Sequence, residues 1–100
     1  MSIYTREGVI NSNTIWRLSP GREAGVLNLS VAPEHSHLLS EMILELSSRL
    51  GGAVQPIAVG PLTSCIRNAG PANIEDAINT YSEICLEVAS RALFSKIEST

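Results

Sequence analysis

Charged side chains are scarce in this sequence: Asp, Glu, Lys and Arg make up 17% of its 100 residues. The net charge is −3 and no basic stripe exists. Nucleic-acid binding works by neutralising phosphates with clustered Lys and Arg, so it is disfavoured. The acidity is also too mild for a polyanionic DNA mimic. Histidine is rarer still, with two copies, His35 and His37. Cysteine also occurs twice, as Cys65 and Cys85, twenty positions apart. That spacing is neither a CxxC pair nor a disulfide framework, and it reads as two buried, reduced thiols. A bridge between neighbouring helices is the alternative. No apolar run approaches the ~18 residues of a membrane span. The N-terminus lacks a basic region followed by an apolar one, so no signal peptide is expected. The sequence reads as a soluble, cytoplasmic chain.

Motifs with built-in chemistry are missing as well. There is no GxSxG elbow, no HExxH and neither GxxxxGK[ST] nor GxGxxG. No internal repeat and no low-complexity segment occurs.

What is present suffices for one modest core. The apolar fraction is 44%, an ordinary value for a globular chain. Length and composition predict a single domain over 1–100, with a β-hairpin region at 1–32 and a helical region at 33–100. Residues 1–32 hold three arginines against two glutamates, a balance of +1. Residues 33–100 hold four bases against eight acids, a balance of −4.

The first third reads as β structure. "NTIWRLS" (13–19) and "GVLNLSV" (25–31) flank the turn-forming "PGREAG". Trp16 and Leu18 share one face of the first strand, Leu27, Leu29 and Val31 share one face of the second, and the simplest model lays both sets against the helices. "SIYTREGVIN" (2–11) offers a third strand. A helix is expected from Pro33 to Leu50, with Pro33 in its first turn and Glu34 at the positive end of its dipole. Leu38, Leu39, Met42, Ile43, Leu46 and Leu50 form its apolar face, an arc of about 140°. Gly51-Gly52 stops it. Residues 53–60 read as a connector. Leu62, Cys65, Ile66 and Ala69 fit a short second helix from Pro61 to Gly70. The third helix is the strongest, over 73–97, with Asn73 as N-cap and Asp76 completing an approximate capping box. It would be about 37 Å long, against roughly 34 Å for a compact domain of this size. The expected class is therefore α+β, a hairpin packed on three helices. An all-α bundle with an irregular N-terminal arm is the alternative.

The candidate sites are few. "PEHSH" (33–37) crowds Glu34, His35 and His37. On a helix the two histidines lie ~200° apart and cannot grip one ion; on an extended chain they could. The plain reading is a solvated helix start. Glu75 and Asp76 complement the dipole of the last helix, which explains them without catalysis. Arg67, Asn68 and Asn73 surround "NAGPAN", where a helix N-terminus could take an anion, although Glu75 and Asp76 would repel one. Trp16, Arg17 and Arg22 mark the hairpin as a partner surface, since Trp and Arg concentrate at binding hot spots. The plain reading of Trp16 is an anchor on the core. The last helix carries a second apolar stripe, Leu86, Leu93 and Ile97, which its own domain does not readily cover.

These features point first to a non-enzymatic interaction module: an inhibitor, adaptor or regulator. It would act as a homodimer, joined through the last helix, that sterically covers a partner surface. Its partners would be itself and another protein, with no nucleic acid, membrane, cofactor or metal. A small-molecule or nucleotide-binding oligomer with a site near 67–73 is the second reading. An enzyme using His35 or His37 as acid–base group is the third.

Overall fold

A computed structural model of the chain describes residues 4–69 and 73–98, with side-chain surroundings given up to residue 93. Five strands come first and between two helices: β1 (Arg6–Ile10), β2 (Asn13–Pro20), β3 (Val26–Val31), then helix α1 (His37–Leu50), β4 (Val54–Val59), β5 (Thr63–Asn68) and helix α2 (Ile74–Glu98). The class is α+β. The strands form one antiparallel sheet in the order β1-β2-β3-β5-β4. Both helices lie on one face of it.

The N-terminal strands follow their local chemistry. Asn11 and Ser12 both have positive φ, 52° and 67°, the requirement of a tight hairpin turn whose twist matches its strands. Gly25 (φ 79°) supplies the left-handed residue that returns the chain into β3. Trp16 pairs with Val31 and Leu18 with Leu29. The expected apolar sets therefore do share a face, and that face meets the helices. Residues 6–10 realise the third strand.

Two expectations for the middle of the chain are corrected. The segment expected as a second helix, 61–70, holds strand β5 (Thr63–Asn68) instead, so the described residues hold two α-helices rather than three. Leu62, Cys65, Ile66 and Ala69 fit a helical spacing, but a short apolar run fits a strand equally. Two-residue alternation wins: Ser64 and Ile66 are buried under the helices, while Thr63 and Arg67 are exposed on the other face. The long-range cause is β3, whose second edge needs a partner and pairs with β5. The supposed connector, 53–60, contains β4. Pro56 argues against a central strand, but β4 is at the sheet's edge, where a proline is tolerated. The region 33–100 thus contributes two strands as well as helices.

The helices are close to expectation. Residues 33–35 form a separate tight turn, and α1 proper begins at His37. Gly51 (φ 57°) ends it. In α2, Asn73 Oδ1 accepts hydrogen bonds from the backbone N–H of Glu75 (2.8 Å) and Asp76 (3.4 Å), as its N-cap role requires. The 25 residues of α2 span about 37 Å, most of the molecule's 43 Å long axis.

The core lies between helices and sheet. Leu18, Leu27, Leu29 and Ile66 meet Leu38, Met42 and Leu46 of α1 and Ile78, Tyr81, Cys85 and Val88 of α2. Trp16 lies at the β1 side, against Gly8, its cross-strand partner.

Candidate functional site

The face of the sheet turned away from the helices carries a groove. Strand alternation sends Val26 and Asn28 of β3, and Cys65 and Arg67 of β5, to that face. Ile57 reaches it from β4, and Arg22 and Glu23 reach it from the β2–β3 turn. These seven residues line a groove of about 390 Å³. Ile57, about half exposed, gives it apolar surface, and the buried Val26 lies at its floor. Arg22 and Arg67 give two guanidinium groups against one carboxylate, Glu23, so this patch is locally positive on an acidic protein. Glu23 stands 3.9 Å from Arg67, and both are well exposed, so the pair holds neither side chain firmly. Such a surface can receive an apolar side chain together with a carboxylate, because Arg offers a planar fork of donors to that group.

The groove brings together residues that the sequence left apart. Arg22 was a candidate for partner contact and Arg67 for ligand contact, and the β3–β5 pairing places both in one depression. Val26, Asn28 and Ile57 were not among the candidates. Val26 was legible in principle, because it alternates with Leu27 and must lie on the opposite face.

The other candidates are dispersed. Trp16 is 3% exposed and sits in the core. Its Nε1 is buried with no hydrogen-bond partner among the described residues. Arg17 is on the open face and is paired with Glu7, Nη2 to Oε1 at 2.8 Å. Asn68 points the other way, accepting a hydrogen bond from the Tyr81 hydroxyl at 2.9 Å. Arg67, Asn68 and Asn73 therefore do not converge, and residues 70–72 of their turn lie outside the described residues. Leu86 is 56% exposed, in company with Arg6, Glu7 and Glu83. Leu93 is half-buried, and the side chain of Ile97 lies outside the described residues.

His35 belongs to the tight turn and His37 opens α1, with ring centroids 6.4 Å apart and tilted by 56°. Among the described residues, no three His, Cys, Asp or Glu side chains converge on a point where an ion could sit. Both cysteines are free. Cys65 is half-buried in the groove, whereas Cys85 is sealed in the core on the opposite side of the sheet. Burial pushes the Cys85 thiol up to about 12, which keeps it protonated and unreactive near neutral pH.

A second depression, about 430 Å³, runs between the helices beside Glu41, Leu44, Glu45, Val88, Arg91 and Ala92. Its polar wall is an ion-pair network. Arg49 donates to Glu45 at 2.7 Å and Glu87 at 2.6 Å, and Arg91 donates to Glu45 at 3.1 Å. Hydrogen bonds from Arg49, with Arg91 contributing, hold the Glu45 carboxyl below its usual range, and Arg49 does the same for Glu87. These charges satisfy one another within the chain, whereas the open-face groove holds only the long, exposed Arg67–Glu23 pair among the described residues.

Among the described residues, no helix is long and apolar enough to cross a membrane. No family model matches the chain, and no curated protein or solved structure matches it significantly.

Proposed function

We propose that this protein is a non-enzymatic interaction module that works as a homodimer and covers a surface of another protein. The observation that carries this reading is the groove on the open sheet face, where Val26 and Ile57 adjoin Arg22 and Arg67. It fits a partner segment that presents an apolar side chain beside an acidic one. The mechanism is steric: the occupied segment is withheld from its other contacts, and no bond is made or broken.

The test is co-purification of the tagged protein from its native host, read by mass spectrometry and then rebuilt with the purified partner. A partner should appear at near-stoichiometric level. The double variant Arg22→Glu/Arg67→Glu should lose it, because two cations become two anions facing an acidic segment. A partner retained in full by that variant would remove the groove from the reading. A single small molecule that strongly raises the melting temperature would favour the ligand-binding alternative instead.

A further inference from the structure

The charge of the chain is unevenly distributed over its surface, and one flank has none. Residues 50–66 contain no Asp, Glu, Lys, Arg or His, the longest such stretch in the sequence. This stretch includes β4, the outermost strand, whose residues Gln55 to Val59 are all exposed. Val59 is 61% exposed on this edge, whereas Ile57 turns to the groove beside Arg22, Glu23 and Arg67.

Helix α1 continues the neutral surface upward from this edge. Its charged residues Glu41, Glu45 and Arg49 recur every fourth position, and the last two bind α2. At 100° per residue, Ser40, Ile43, Ser47 and Leu50 lie on the opposite side of the helix, roughly 180° around. Ser40 is exposed and the other three are half-buried. The short turn Gly51–Ala53 folds β4 back beneath α1. The far end of β4, with Val59, thus comes under the first half of α1, where Ser40 and Ile43 lie.

We propose that this protein pairs with a second copy of itself through the flank formed by β4 and the outer side of α1. The occupant is argued from charge. A two-fold contact sets each residue of a patch against the same patch of its copy, so any charge near the axis meets its own kind. A patch without charge has no such cost. The apolar stripe of α2 lacks this advantage, because Leu86 is surrounded by Arg6, Glu7 and Glu83. The flank also lacks charges that would steer a foreign partner of definite sign.

The form of the contact follows from the edge itself. Proline and an irregular register are common guards of sheet edges. β4 has both, with Pro56 lacking an N–H and the register shifting between Pro56 and Ala58. The buried Ser64 hydroxyl donates to the Ala58 carbonyl at 3.2 Å beside that shift. Main-chain pairing of two β4 strands is therefore interrupted, and side chains carry the contact. Six residues at ~3.3 Å give a strip about 20 Å long. Sheet edge plus a helix of ~10–12 Å diameter gives it a height of about 20 Å. The projected area, roughly 400 Å² per copy, is about half that of a standard interface. The dimer is accordingly reversible.

The inference names the dimer surface of the module proposed above. It is tested on the purified full chain with no partner present, so its failure leaves the groove reading standing. Sedimentation velocity over roughly 1 µM to 1 mM should show the mass rising from the 10.7 kDa of one chain towards twice that. The variant Ser40→Lys/Val59→Lys places like charges across the axis on two exposed positions. It should weaken self-association at least about tenfold while the thermal midpoint stays within a few degrees. Leu86→Lys should associate as the wild type does. A wild type that remains at one chain's mass over the whole range overturns the proposal. So does a double variant that still pairs normally, or an association abolished by Leu86→Lys alone.

Discussion

β1 and β4 both end the sheet, and both leave apolar side chains in solvent: Val9 and Ile10 on β1, Ile57 and Val59 on β4. Their surroundings differ. β1 has charge along it: Arg6 donates to Asn79 of α2, and Glu7 binds Arg17 of the next strand. β4 has none, and its guards are Pro56 and a shifted register. Charge on an edge repels a second strand of the same kind, whereas proline and a bulge stop a hydrogen-bonded ladder but leave apolar side chains free to touch. The difference shows how one small sheet can close one side to association and leave the other open to a limited contact.

Alkali should break the β4 side most severely. The Tyr81 hydroxyl ties α2 to the paired ends of β4 and β5, through Asn68 and the Ala53 carbonyl. Burial raises Tyr81 from 10.0 to about 12, and Cys85, one turn on, from 9.0 to about 12. The unfolded chain therefore loses these protons at lower pH than the folded one, and stability falls with rising pH across that window. Urea unfolding at stepped pH should show little change from neutrality to about 8.5 and a steep loss beyond, partly relieved in Cys85→Ala.

At the β1 edge the expected effect is smaller and steric. A Cβ added at Gly8 would lie 2.1 Å from Trp16 Nε1 and 2.6 Å from its Cε2. The buried indole has little room to retreat, so Gly8→Ala should cost about 1–3 kcal/mol. Because Trp16 is the only tryptophan, a shift in its emission would confirm that the cost arises there. No change in either readout would mean that β1 is more loosely packed than β4.

Removing one tie at the β4 end costs less. Tyr81→Phe loses the bond to Asn68 but keeps the ring in the core, for about 0.5–1.5 kcal/mol by chemical denaturation. Least of all is Glu7→Gln, which removes an exposed pair worth about 0–1 kcal/mol. Its use is to sharpen the contrast: if charge guards β1, this variant should self-associate slightly more than the wild type while folding equally well.

Local chemistry made much of the fold legible. Asn73 as a cap, Gly51 as a stop and the shared faces of Trp16, Leu18, Leu27 and Leu29 follow from rules that act within a few residues. β4 and β5 did not follow, because their identity depends on distant partners. Leu62, Cys65 and Ile66 suit a helix as well as a strand until β3 presents a free edge, and Pro56 suits a connector until it is known to be outermost. The groove was half legible for the same reason. Arg22 and Arg67 stood out as individual residues, but only the pairing of β3 with β5 makes them neighbours.

The two free thiols provide a native handle for labelling. Cys85 is sealed behind the sheet, while Cys65 opens into the groove beside Ile57. A maleimide dye at mild pH therefore attaches at one place without any engineered residue. That place lies inside the groove, so a bound dye would report on this depression and compete with a foreign segment for it.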